Sequence, residues 1–211
     1  MIFIIKPSYS LLNLLDELKH IDTQLFLWLN GDGGIALDQC MWYASKTWPW
    51  FPFYAWLLYM LYRRTSLGQF VAAVFCVAIA VFLSDRFSVV LFKETFMRLR
   101  PSREPDLAAF IHLVKDENGN NYIGGLYGFI SSHAANCAAA MVFFILAMRP
   151  IRWQILSALL LWYMLVAYSR IYLGVHYPGD VLGGLLFGSI CGFIGHLLFK
   201  FCLSKLPAHN S

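Results

Sequence analysis

Residues 169–203 read SRIYLGVHYPGDVLGGLLFGSICGFIGHLLFKFCL, and the two parts of this stretch pull in different directions. Beyond Asp180 the run is almost wholly apolar and approaches the length of about 20 residues that a membrane-crossing helix needs. Pro178 suits the first turn of such a helix, so the spacing predicts a span from Pro178 to about Leu203 with Lys200 and Lys205 at its end. Gly184, Gly188 and Gly192 recur every four residues along it, a stripe that lets another helix approach closely. Just before it, Arg170, His176 and Asp180 stand where lipid-compatible residues would be less costly. A helix end carrying chemistry is the reading that accounts for both parts.

The rest of the chain agrees with a membrane solvent. Of 211 residues, 59% are hydrophobic and 13% charged, and the mean hydropathy is +0.60, well above the usual soluble balance. One domain covering residues 1–211 is expected. The net charge of +4 is spread around the apolar runs and forms no basic face, which argues against a nucleic-acid partner. The five cysteines lie mostly inside apolar runs and read as small buried hydrophobes. His133 and Cys137 have helical metal-ligand spacing, but two ligands make no site, so neither metal nor cofactor is expected.

Working outward, four more spans are predicted: Trp153 to Leu173, Ser131 to Met148, Leu67 to Phe92, and Met41 to Tyr62, the last kinked by Pro49 and Pro52. Residues 1–30 lack the pattern of a cleavable signal peptide. Leu11, Leu14, Leu15, Leu18, Ile21, Leu25 and Trp28 instead recur at helical spacing among charged residues, until Gly31 to Gly34 break the pattern. That periodicity serves equally an interfacial helix or a packing helix at the bundle edge. The fold class is therefore all-α, a polytopic membrane bundle of about five crossing helices plus an N-terminal amphipathic helix; a sixth span arises if that helix crosses too.

The connection from 93 to 130 is polar. Asp116, Asn118 and Asn120 imitate the start of a calcium loop, but Asn121 and Tyr127 occupy the positions of its glycine and closing glutamate, so a solvated loop is expected. Five-span parity brings Lys93 and Arg100, Ser131 to His133, and the 169–180 stretch to one membrane face. Interfacial anchoring would explain Lys93 or Arg170 singly; it would not explain so many ionisable groups at one level.

Together these clusters are KETFMRLRP (93–101), SSHAA (131–135) and SRIYLGVHYPGD (169–180). They resemble the three-part signature of the type 2 phosphatidic acid phosphatase family, K-x6-R-P, P-S-G-H and S-R-x5-H-x3-D. The likeness spans about residues 85–185. The first and third parts match at every defining position, while Ile130 and Ser132 replace the proline and glycine of the second. The resemblance implies that His176 is a nucleophile forming a phosphohistidine, that Asp180 orients it, and that His133 protonates the departing oxygen. It also implies an active site on the extracytoplasmic side of a bacterial inner membrane.

The residue types fit anionic chemistry on their own. Displacement at phosphorus needs cations and donors around the phosphoryl oxygens, which Lys93, Arg100 and Arg170 supply, the arginines as planar forks. Ser131, Ser132 and the helix N-terminus behind them add donors. If the family glycine supplies a positive φ, Ser132 is strained; if it only admits a close approach, Ser132 adds a donor, the reading adopted here. Asp85 and Arg86 sit about two turns below Lys93, Arg86 on nearly its face by α-helical spacing. They read either as a buried pair supporting the site or as each other's counterions.

The expected substrate is a lipid phosphate or diphosphate such as undecaprenyl diphosphate, a lipid A phosphate or a phospholipid precursor, reached among membrane lipids. A non-catalytic transporter or binding protein for anionic lipids would use the same cations, but would need neither His133 nor the His176 and Asp180 pair. The side of the three clusters holds more lysines and arginines in total, and only excluding the proposed phosphate ligands largely evens the balance, so the charge rule does not choose an orientation.

Overall fold

The computed structural model describes residues 8–205. Residues 1–7 and 206–211, and the side chains of residues 8–12 with Leu11 among them, lie outside that description. Eight α-helical segments follow one another: α1 (Ser8–Leu29), α2 (Gly34–Ala44), α3 (Phe51–Tyr62), α4 (Leu67–Phe87), α5 (Glu94–Phe96), α6 (Ser132–Ala147), α7 (Trp153–Tyr172) and α8 (Pro178–Leu203). A π-helical turn, Ser88–Lys93, fuses α4 to α5. No strand is present among the described residues; the 97–130 connection carries only two isolated β-bridges.

Three of these helices are long and apolar enough to cross a membrane: Leu67–Phe96, Trp153–Tyr172 and Pro178–Leu203. The apolar helix α6 is shorter, at 16 residues. The stretch predicted as a first span, Met41 to Tyr62, is not one helix. It divides into α2 and α3 across Ser45–Thr47 and a 3₁₀ turn, Trp48–Trp50. Pro49 lacks an N–H and disfavours helix at Trp48, while Pro52 is tolerated because it falls in the first turn of α3.

Helix α6 packs most extensively against α8, with α4 against both and α7 alongside α6. The glycine stripe makes this possible. A Cβ at Gly188 would collide with the Ala135 carbonyl and one at Gly192 with the Ala139 carbonyl, so backbone meets backbone along the α6–α8 seam. Ile130 is buried against α8 just ahead of α6. The bundle therefore fixes the N-termini of α6 and α8 side by side, where Ser131 N–H donates to the Asp180 carbonyl at 2.9 Å. At the opposite end Arg64 donates to the Met148 carbonyl at 2.6 Å, gathering the basic turns there.

Helix α1 does two things at once. Phe26 is fully buried edge-on against Tyr177, and Asp22 accepts from Gly179 N–H at 2.7 Å, clipping α1 to the start of α8. Leu14, Leu18, Ile21, Leu25 and Trp28 remain exposed along another face, as suits a helix lying in a membrane interface. The two sequence readings of this segment coexist on different faces.

The 97–130 connection folds back over the α7–α8 turn. Met97 adopts a left-handed φ of 45° that ends α5. Asn30 then ties the carbonyls of His112 and Tyr172 together, and Asp38 accepts from His112 Nε2 and the Tyr172 hydroxyl. Asp116 accepts from the N–H groups of Asn118 and Asn120 at 2.9 Å each, so the calcium-like residues form an ordinary turn.

Candidate active site

His176 sits in the tight turn between α7 and α8, opened by Gly174 at φ 71°. Its side chain is 1% exposed, and Nδ1 lies 3.4 Å from Asp180 Oδ2. With Nδ1 turned to the carboxylate, Nε2 is the ring nitrogen left for the cavity that His176 lines. Burial, with Arg100, Arg170 and Lys93 nearby, holds this imidazole well below its ordinary value of about 6.5. The ring is therefore neutral at physiological pH, the form a nucleophile requires.

Asp180 belongs to the first turn of α8 and is completely buried. Its Oδ2 accepts from Tyr177 N–H at 3.0 Å and its Oδ1 from Arg98 Nη1 at 3.0 Å. The other arm of Arg98 reaches Asp22 Oδ2 at 2.7 Å, and the guanidinium lies 3.8 Å over the centre of the Tyr177 ring. Asp22, Arg98 and Asp180 thus form one hydrogen-bonded chain from the N-terminal helix that ends 3.4 Å from the imidazole. Sequence reasoning missed Arg98 and Asp22. Arg98 stands within the first motif cluster, where its charge was the available signal; Asp22 had only its place on an amphipathic helix.

A cavity of about 560 Å³ collects most of the predicted residues: Lys93, Arg100, Ser132, His133, Arg170 and His176, with Asp85 below them. Arg170 is 2% exposed. It donates to Ser45 Oγ at 2.8 Å and to the Tyr122 hydroxyl at 3.4 Å, so the break between α2 and α3 serves to aim it. Arg100 donates Nε to the Tyr127 carbonyl at 3.1 Å, which leaves its terminal nitrogens beside Gly124 and Gly125. His133 opens onto the same space from the first turn of α6. A separate cavity of about 570 Å³, between α2 and residues 112–117, contains none of the predicted site residues.

The two serines divide their work. Ser131 is fully buried as the N-cap of α6, accepting from Ala134 N–H at 3.4 Å, and does not line the cavity. It holds the helix start in place, where a direct phosphate donor had been expected. Ser132 is the first helical residue, with no positive φ, so a serine here carries no backbone strain. Its hydroxyl accepts from Lys93 Nζ at 2.7 Å and lies 2.7 Å from Ser88 Oγ. Because the single Ser88 proton goes to the Asp85 carbonyl at 2.7 Å, Ser132 is the donor to Ser88. A directed chain therefore runs from Lys93 through both serines and orients the ammonium group.

Asp85 and Arg86 do not form the expected buried pair. Asp85 faces the cavity and accepts from Asn136 Nδ2 at 2.9 Å, whereas Arg86 is exposed and lines no part of the cavity. The α-helical extrapolation from Arg86 to Lys93 fails because Ser88–Lys93 winds as a π-helix, which takes more residues per turn and rotates Lys93 away from that face.

The arrangement has known counterparts. The PAP2 superfamily pattern matches residues 69–203. A lipid A 4'-phosphatase of Porphyromonas gingivalis is 33% identical over 207 residues, covering 93% of this chain and 83% of that one. Another, from Bacteroides thetaiotaomicron, is 34% identical over 196 residues, covering 92% and 82% respectively. A solved transmembrane PAP2 type phosphatidylglycerolphosphate phosphatase from Bacillus subtilis shares the fold, with a TM-score of 0.60 at 20% identity over 92% of this chain and 90% of that one. The pattern covers α4 to α8 and all three polar clusters, and both relatives align along most of their length, so this chain belongs to the PAP2 superfamily.

Proposed function

We propose that this membrane lipid phosphatase acts on a lipid A phosphate through a phosphohistidine on His176, without a metal ion. The observation that carries the reading is a buried neutral imidazole, backed by Asp180, opening onto a cavity ringed by Lys93, Arg100 and Arg170. An anion-binding protein would need the three cations and not the imidazole with its carboxylate. The named activity of the two bacterial relatives favours lipid A over undecaprenyl diphosphate or a phospholipid phosphate.

In this mechanism Lys93, aimed by Ser132, with Arg100 and Arg170 holds the phosphoryl oxygens while Nε2 of His176 attacks phosphorus. The bond from phosphorus to the lipid oxygen breaks, and His133, which takes up its proton against the negative charge of the bound phosphate, passes that proton to the departing oxygen. Asp180 accepts from Nδ1–H, supporting the ring as positive charge develops on it. Neutral His133 then takes a proton from water, whose oxygen attacks the phosphohistidine; inorganic phosphate leaves and His176 is regenerated.

Purified protein in detergent should release phosphate from lipid A at full rate in excess EDTA, because side-chain cations occupy the role of a metal. Activity lost in EDTA and restored by magnesium or zinc would contradict that. The site is proposed to face the extracytoplasmic side of a bacterial inner membrane, with α2 and α3 together making a broken first crossing. A cysteine replacing Asn120 should then react with a membrane-impermeant thiol reagent in intact spheroplasts, and one replacing Ser66 only after lysis. The reverse labelling would invert the topology.

A further inference from the structure

The cavity continues below the phosphate-holding groups, and what lines it there bears on the part of the substrate that leaves. His133, Asn136, Cys137 and Ala140, at i, i+3, i+4 and i+7, present one face of α6 to it. Across from them α4 contributes Asp85 and Val81, and Tyr54 and Trp162 close the far end. Polar groups thus lie within about one helical turn of His133, and apolar groups follow.

The polar pair is Asp85 and Asn136. Asn136 Nδ2 donates to Asp85 Oδ1 at 2.9 Å, and the opposite amide orientation would set oxygen against carboxylate. That fixes Asn136 Oδ1 as a buried acceptor without a hydrogen-bond partner among the described residues. Asp85 is exposed on α4 and stays open to a further donor, while the buried amide oxygen beside it is costly to leave without one. The pair offers the Asp85 carboxylate and Asn136 Oδ1 as acceptors, against one remaining amide N–H. The group that fits must bring hydroxyl or amide N–H donors close to the ester oxygen that His133 protonates.

We infer that Asp85 and Asn136 select the leaving group, admitting a phosphate ester of an acylated amino sugar and opposing a polyprenyl diphosphate. The inference rests on the phosphatase reading above. A sugar places hydroxyl and amide donors beside the scissile ester, with acyl chains farther on to meet Val81, Cys137, Ala140 and Trp162. A diphosphate places a departing anionic phosphate there, all acceptors and negative charge, next to the Asp85 carboxylate.

The test compares kcat/KM for a phosphorylated, acylated glucosamine lipid and for undecaprenyl diphosphate, using the full chain in detergent. The unaltered protein should prefer the glucosamine lipid. Asp85→Asn should lower that preference at least about tenfold, roughly 1.4 kcal/mol, mainly by raising diphosphate turnover. Asn136→Leu should lower it by a similar factor, mainly by weakening the sugar substrate. A preference for the diphosphate in the unaltered protein, or a ratio within about twofold of the original in both variants, would overturn the inference. Equal loss of both substrates in both variants would also overturn it, assigning the pair to general support of the site. If the unaltered protein releases phosphate from no ester at all, the phosphatase reading itself falls, and this inference with it.

Discussion

His176→Ala should abolish phosphate release, by at least about 10⁴-fold, or roughly 5.5 kcal/mol of transition-state stabilisation. No neighbouring group can replace it. His133 belongs to α6 and in the proposed mechanism serves the departing oxygen, while Asp180 is completely buried behind the imidazole and does not line the cavity. His133→Ala should behave differently, slowing esters of lipid alcohols strongly while sparing esters whose leaving groups need no proton. Steady-state rates on paired substrates separate the two roles. Residual turnover by His176→Ala within tenfold of the unaltered protein would remove His176 from the chemistry.

Arg98→Ala should lower kcat by about 10²-fold, roughly 2.7 kcal/mol, although Arg98 does not line the cavity. Its guanidinium joins Asp22 of α1 to Asp180, and removing it leaves a buried carboxylate without its cation, a change that ordinarily costs about 3–5 kcal/mol. Some of that loss appears as lower thermal stability. The pH profile separates positioning from folding. In the unaltered protein the acid limb of kcat/KM should lie below the ordinary imidazole range, because burial and three cations disfavour protonation of His176. Without Arg98 the Asp180 charge is no longer neutralised, protonation of His176 becomes easier, and the acid limb moves to higher pH. Arg98→Lys should restore part of the rate and move the limb back. An unchanged rate and profile in Arg98→Ala would make the hydrogen-bonded chain structural decoration.

The membrane bundle and the convergence of three polar clusters were legible in the sequence because both depend on periodicity and on the order of helix ends. Lys93, Arg100, Ser132, His133, Arg170 and His176 share one cavity for that reason, with Asp180 directly behind. What was not legible depends on geometry that spacing does not encode. Arg86 was placed on the face of Lys93 by counting α-helical turns, and the π-helical turn voids that count. Ser131 and Ser132 are adjacent donors in sequence, and only the start of α6 decides that one caps the helix and the other meets Lys93. Asp22 and Arg98 lie 76 positions apart, so nothing short of the packed α1–α8 contact could join them. Asn136 reads as one more polar residue in an apolar run until Asp85 is found opposite it.

The covalent intermediate tests the central claim most directly. In His133→Ala, a lipid phosphate with a good leaving group should phosphorylate the protein, while hydrolysis stalls for want of the base that deprotonates water. After a brief reaction quenched under alkaline conditions, peptide mass spectrometry should find one phosphate on His176 and none when His176 is also alanine. Phosphate attached to any other residue, or full-rate turnover by the His176→Ala protein, would contradict the account.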